Sequence, residues 1–125
     1  MARILIVDDS GMSRRTLRKI LEPEGHVLSE ATDGMSALER FFIDRPNLVM
    51  LDLTMTGMYG IDVLKKLKEI DPGVRVVVAS ADIQASTRAM VIEAGATGFI
   101  NKPFDIERVL KAVNGALEES TGGIE

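Results

Sequence analysis

The stretch Leu48-Val49-Met50-Leu51-Asp52 limits what this chain can become more than any other. An unbroken apolar run ends abruptly in an aspartate. It is too short for a helix. Arg45-Pro46-Asn47 precedes it and a loop rich in Thr, Gly and Met follows, so it reads as a strand buried on both faces. Two more runs share the pattern. Arg3-Ile4-Leu5-Ile6-Val7 ends in Asp8-Asp9, and Val74-Arg75-Val76-Val77-Val78-Ala79 ends in Ser80. Strands that are apolar on both faces need cover on both faces, and the intervals between them must supply it.

The intervals read as amphipathic helices. Ser10 or Asp9 caps the first, which carries Met12, Leu17, Ile20 and Leu21 on one face and Arg14, Arg15, Arg18 and Lys19 on the other; Glu22-Pro23-Glu24-Gly25 stops it. Val27–Ala31 is a weaker strand, nearer an edge. Thr32-Asp33-Gly34 opens a helix with Ala37, Leu38, Phe41 and Phe42 inward, ended before Pro46. The third helix carries Ile61, Leu64, Leu67 and Ile70 and is broken by Asp71-Pro72-Gly73. The fourth runs from about Ile83 to Glu93, with Gly95 closing it. A strand over Ala96–Ile100 leads through Asn101-Lys102-Pro103-Phe104 to Asp105, the cap of a last helix with Ile106, Val109, Leu110, Val113 and Leu117 inward. Strand and helix alternate with short connections, which predicts an α/β fold: a five-stranded parallel sheet, doubly wound, with five flanking helices. Residues 1–119 form one domain, and 120–125 a polar tail.

The formal net charge of −4 leaves no electrostatic footprint for nucleic acid and disfavours anionic membranes. No apolar run approaches the roughly 18 residues of a membrane span. The lack of Cys excludes disulfides, thiolate metal sites and a Cys nucleophile, and fits a reducing cytoplasm, the expected location.

In open parallel sheets, chemistry gathers at the carboxyl ends of the strands. That edge would hold Asp8, Asp9, Asp52, Ser80 and Lys102. Carboxylates this close raise at least one pKa unless a cation joins them, and a hard divalent ion such as Mg²⁺ suits a few oxygen ligands with open water positions. Aspartate is also a nucleophile toward phosphorus, and phosphoryl transfer needs mainly positioning and charge neutralisation. Lys102 could supply a fixed positive charge, and Ser80 a hydrogen bond to a phosphoryl oxygen. Singly, each residue has an ordinary role: a turn aspartate, a helix-dipole partner, a cap, a surface lysine. Their coincidence at successive strand ends carries the argument.

The sequence resembles a response-regulator receiver domain of the stand-alone type typified by the chemotaxis regulators. The likeness runs from Arg3 to about Glu118, on Ile4-Leu5-Ile6-Val7-Asp8-Asp9-Ser10, Ala31-Thr32-Asp33-Gly34, Leu51-Asp52, Gly57-Met58, Gly60, Ser80-Ala81, Ala94-Gly95-Ala96 and Lys102-Pro103-Phe104. The resemblance implies a flavodoxin-like sheet order 2-1-3-4-5 and a role for each matched residue. Asp52 would accept a phosphoryl group from a sensor histidine kinase or phosphotransfer protein. Asp8, Asp9, Asp52 and the backbone carbonyl of Thr54 would hold Mg²⁺. Lys102 would pair with the phosphoryl group, across a bond to Pro103 that is commonly cis. Ser80 and Phe99 would form the switch that remodels the helix 4–strand 5–helix 5 face for a downstream protein target. Such a chain is a phosphoacceptor, monomeric or weakly dimeric, and not an enzyme in the turnover sense. It contacts neither nucleic acid nor membrane directly.

Two residues depart from the family pattern: Thr56 stands where Pro is usual, and Tyr59 where Asp is frequent. Thr54 and Asp82 occupy positions that vary within it. His26 is expected at the surface or partly packed, Met55 and Met58 as packing residues, and the Arg14, Arg15, Arg18, Lys19 stripe as a solvated face, with kinase docking its minority reading. Other classes fit less well. A haloacid-dehalogenase-like phosphatase needs Asp where Thr54 stands. A flavin carrier wants a hydroxyl-rich first loop in place of Asp8-Asp9. A nucleotide hydrolase wants a P-loop lysine pattern. The remaining alternatives are a receiver-shaped scaffold that works without phosphorylation, and a receiver fragment of a larger regulator or hybrid kinase.

Overall fold

A computed structural model describes residues 2–54, 60–81 and 84–122, with side chains through Glu118. The element order is β1 (Arg3–Val7), α1 (Gly11–Leu21), β2 (Val27–Ala31), α2 (Gly34–Asp44), β3 (Leu48–Asp52), α3 (Gly60–Ile70), β4 (Arg75–Ser80), α4 (Ala85–Glu93), β5 (Gly98–Asn101) and α5 (Ile106–Gly122). All strands are parallel, in the order β2-β1-β3-β4-β5.

Strand alternation divides the core into two layers. On one face Leu5, Val7, Val49, Leu51, Val76 and Val78 pack against α2, α3 and α4 through Ala37, Phe41, Val63, Leu64, Leu67 and Val91. On the other, Ile4, Ile6, Leu48, Met50, Val77 and Ala79 meet α1 and α5 through Leu17, Ile20, Leu21, Val109, Val113 and Ala116. Every residue of β3 is buried, as its unbroken apolar run requires. The helices are anchored unequally. α3 buries Gly60, Val63, Leu64 and Leu67, whereas α4 buries Val91 alone.

Local signals set the boundaries. Ser10 caps α1 by accepting from the Ser13 N–H at 3.2 Å. Asp33 and Ser36 form a reciprocal capping box at the start of α2. Gly25 and Gly95 take φ values of +88° and +102°, the left-handed conformation that ends a helix at least cost. Asp105 caps α5 by accepting from the Arg108 N–H at 3.3 Å.

Several expectations need correction. β5 begins at Gly98 rather than Ala96, because Gly95 turns the chain and Ala96 still donates back to the Val91 carbonyl at 2.9 Å. β4 starts at Arg75 and takes in Ser80. α4 starts at Ala85; Ile83 lies outside the described residues. α5 continues past Ser120 to Gly122. Met12 and Ile106, expected inward, are 71% and 60% exposed; both sit in the first turns of their helices. Phe42 is 55% exposed; Phe41 takes the inward position, and the Arg45 guanidinium covers the Phe42 ring at 5.3 Å.

Candidate functional site

The carboxyl ends of β1, β3, β4 and β5 deliver the predicted residues to one place. β1 ends at Val7, so Asp8 and Asp9 follow it directly, and the Asp8 N–H is tied to the Ala31 carbonyl of β2 at 3.1 Å. Asp52 is the last residue of β3, in register with Ala79, one position before Ser80. Lys102 follows β5, fixed by its N–H donating to the Ser80 carbonyl at 3.0 Å. The Lys102–Pro103 peptide bond is cis.

Asp8 and Asp52 are each 2% exposed and Ser80 1%, uncommon burial for such groups. One oxygen from each of Asp8, Asp9 and Asp52 lies within 4.8 Å of the others. Lys102 Nζ reaches Asp8 Oδ2 at 2.9 Å and Asp52 Oδ1 at 3.6 Å. Asp52 Oδ1 also accepts from the Thr54 N–H and Thr54 Oγ1, both at 3.3 Å. Asp8 Oδ1 accepts from the Ser10 N–H at 2.9 Å. Burial pushes the Asp52 carboxyl above the ordinary aspartate range, and the nearby Asp8 adds to the rise. Lys102 and the Thr54 N–H only partly offset this. Lys102 is paired with Asp8 and Asp52, and a hard divalent cation would neutralise the acidic cluster further.

The donor set fits Mg²⁺. Ligands about 2.0–2.1 Å from an octahedral ion stand roughly 3–4 Å from each other, a small contraction from the present spread. All donors are oxygens, and Asp9 is exposed, leaving the site open to water. Asp8, Asp9 and Asp52 are therefore the side chains that could hold the ion.

Beside the carboxylates, Ser80 lines a cavity of about 310 Å³ with Leu53, Thr54, Ile61, Thr87, Met90 and Val91. Phe99 is half-buried against the α2–α4 layer, with the Arg88 guanidinium 5.0 Å above its ring. Met55, Thr56, Gly57, Met58, Tyr59 and Asp82 lie outside the described residues.

The sequence reading missed one contributor. Arg14 and Arg18 do not belong to a solvated stripe. Arg14 Nε and Arg18 Nη2 grip Glu30 of β2 at 2.7 and 2.8 Å, and Arg18 Nη1 reaches Glu22 at 2.6 Å. Arg14 Nη1 donates to the backbone carbonyl of Asp8 at 2.8 Å, bracing the loop that carries the acidic pair. Burial raises the Glu30 carboxyl, but the two guanidinium bonds outweigh it and hold it below the usual range. The helical spacing of Arg14 and Arg18 was visible in sequence; that Glu30 stands opposite depends on β2 pairing with β1.

Known proteins resemble this chain in sequence and fold. The family model for the response regulator receiver domain matches residues 4–114. The chemotaxis protein CheY of Bacillus subtilis is 44% identical over 116 residues, 92% of this chain and 97% of that protein. Sporulation initiation phosphotransferase F of the same organism is 38% identical, over 89% of this chain and 90% of its own length. Among solved structures, a CheY-like receiver domain protein from Methanospirillum hungatei superposes with a TM-score of 0.92 at 26% identity, covering 98% of each chain. With fold, strand order and sequence in agreement, this chain belongs to the response-regulator receiver family, as a CheY-like receiver domain of two-component signalling.

Proposed function

We propose that Asp52 accepts a phosphoryl group in a Mg²⁺-dependent reaction and that the chain signals through the resulting change in its α4–β5–α5 face. The observation that carries this is the convergence of Asp8, Asp9 and Asp52 within 4.8 Å, with Lys102 beside two of them. A carboxylate oxygen of Asp52 attacks phosphorus. The new O–P bond forms as the P–N bond of a donor phosphohistidine breaks, and the freed imidazole leaves with the bonding pair and takes up a proton. Mg²⁺, held by Asp8, Asp9, Asp52 and the Thr54 backbone carbonyl, would neutralise phosphoryl charge. Lys102 supplies a second positive charge from within 3.6 Å of Asp52. The Thr54 N–H, already directed at Asp52, holds the acceptor in orientation.

The readout follows from a new dianion beside a buried hydroxyl. Ser80 turns toward the phosphoryl oxygens, the segment after β4 follows, and Phe99 shifts against α4. A sensor histidine kinase or phosphotransfer protein is the donor, and the output is a protein target. A relative named as a phosphotransferase supports reading the site as one that exchanges phosphoryl groups. The chain is otherwise no enzyme. A monomeric or weakly dimeric cytoplasmic protein suits this role; among the described residues no helix is long and apolar enough to cross a membrane.

The test is intact-mass spectrometry after incubation with acetyl phosphate and Mg²⁺. A single phosphoryl adduct is expected, absent with chelator and absent in Asp52→Asn. An adduct that persists in Asp52→Asn names a different acceptor. None from acetyl phosphate or from candidate kinases leaves a scaffold that acts without phosphorylation.

A further inference from the structure

Each polar group of Asp8 has a partner. Its N–H donates to the Ala31 carbonyl of β2 at 3.1 Å, Oδ1 accepts from the Ser10 N–H at 2.9 Å, and Oδ2 pairs with Lys102 Nζ at 2.9 Å. The fourth group, the backbone carbonyl, accepts from Arg14 Nη1 at 2.8 Å. That carbonyl belongs to the planar peptide joining Asp8 to Asp9. The tilt of this plane decides how the chain leaves one carboxylate and enters the other, so whatever holds it sets the spacing of the acidic pair.

Arg14 does not hold the peptide alone. Its Nε donates to Glu30 Oε1 of β2 at 2.7 Å, so two nitrogens of one rigid guanidinium bridge β2 to the acidic loop. Glu30 is held in turn by Arg18 Nε and Nη2, both at 2.8 Å. The Arg14 side chain is 19% exposed and that of Glu30 32%, so solvent screens the bridge less than it screens an ordinary surface ion pair. Two features go beyond what folding asks for. Arg18 already joins α1 to β2 through Glu30, and the further reach of Arg14 into the loop adds nothing to that joint. A guanidinium beside an acidic cluster also opposes a bound cation by Coulomb repulsion, so its place there has to be offset by something it does for the ligands.

We infer that Arg14, oriented by Glu30, is a positioning residue for the divalent-cation site: it holds the Asp8–Asp9 peptide in the plane at which both carboxylates converge with Asp52. This role rests on the proposed Mg²⁺ reading of the site and deepens it, because it extends control of the cation to β2, an edge strand that supplies none of the carboxylates. Charge and position act here with opposite sign. By charge alone, removing Arg14 leaves the cluster more acidic, and the cation binds more tightly. By position, removing it frees the peptide, and the cation binds more weakly. Groups that orient metal ligands commonly contribute about 10–100-fold in affinity, which makes position the larger effect.

The test is a Mg²⁺ titration of isotope-labelled protein followed by amide shifts, which report affinity and fold together. Arg14→Ala should bind Mg²⁺ roughly tenfold more weakly than wild type. Arg14→Lys keeps the charge and the aliphatic stem but not the rigid fork; it should also bind more weakly, and it carries the test if Arg14→Ala does not fold. Glu30→Gln should lose affinity in the wild-type background and little further in Arg14→Ala, since the glutamate acts through the arginine. Arg18→Ala weakens the same joint between α1 and β2 without touching the Asp8 carbonyl, so it should change affinity by less than about twofold, whereas a merely structural role for Arg14 predicts equal losses from both arginines. Unchanged or tighter binding by the folded Arg14 variants, additive losses in the Glu30–Arg14 pair, or equal losses from Arg14→Ala and Arg18→Ala would overturn this role while leaving the cation site intact. A wild type that takes up no Mg²⁺ would overturn the cation reading and this role together.

Discussion

Replacing Asp52 with asparagine should stabilise the protein while abolishing its chemistry. At an effective dielectric of about 20, carboxylate oxygens no more than 4.8 Å apart repel by at least roughly 3.5 kcal/mol, while Lys102 at 3.6 Å attracts Asp52 by roughly 4.6 kcal/mol. Asp9 is exposed, and solvent screens most of its share. The Coulomb terms nearly cancel, and what remains is the cost of holding a carboxylate that is 2% exposed. That direction agrees with the raised Asp52 pKa. Asparagine keeps an acceptor for Thr54 and leaves Lys102 paired with Asp8 at 2.9 Å. The gain should be about 1–2 kcal/mol, or roughly 4–8 °C in Tm for a chain of this length. Circular dichroism melts in chelator at neutral pH would measure it. An acid whose folded pKa is raised weighs against the fold above that pKa and ceases to do so as pH falls toward the unfolded value. The gap between the two proteins should therefore narrow on acidification. Saturating Mg²⁺ should also shrink it, because the wild type gains more ligand-binding energy. A variant that melts lower than wild type in chelator would mean that Lys102 more than offsets the burial, and the account of an under-neutralised site would fail.

Glu30→Gln should cost about 1 kcal/mol, since it weakens both guanidinium bonds to β2. With its folded pKa below the usual range, Glu30 stabilises above that range and loses its effect as pH falls through the folded value, so melts of the two proteins should converge in acid. Gly60→Ala should lower the urea midpoint by about 1–3 kcal/mol of stability and slow phosphoryl uptake, because its Cβ would fall 2.7 Å from the Asp52 carbonyl; an unchanged midpoint would show that the backbone yields freely there. Gly115→Ala should raise Tm by about 2–4 °C, a gain of roughly 0.5–1 kcal/mol read in the same melts.

Much of this was legible in the chain because the decisive signals are local. Short apolar runs ending in Asp8, Asp52 and Ser80 mark both the sheet and the edge that holds the candidate site. The bounds of β1, β2 and β3 follow from run length and flanking breakers. What escaped depends on contacts between elements. Helical periodicity cannot show that Met12 and Ile106, in the first turns of α1 and α5, are left uncovered, so both were placed inward. Nor can it choose between adjacent Phe41 and Phe42, where one residue's rotation decides burial. Arg14 and Arg18 looked solvated because their acceptor is brought close by strand pairing. The order of the strands came from the resemblance, since alternation alone fixes parallel direction and not sequence in the sheet.

The meagre anchorage of α4 has a thermodynamic consequence. A helix that seats only Val91 in the core surrenders little apolar burial when it lifts or rotates, whereas α3 would forfeit Val63, Leu64 and Leu67 together. Local opening free energies rank accordingly, so amide protons of α4 should exchange well before those of α3 or the central strands. A helix already near the bottom of that ladder needs only a small push to change its population of poses. Under the proposed function, one phosphoryl group's worth of new contacts would suffice for that, and the rest of the domain could stay rigid while α4 changes pose.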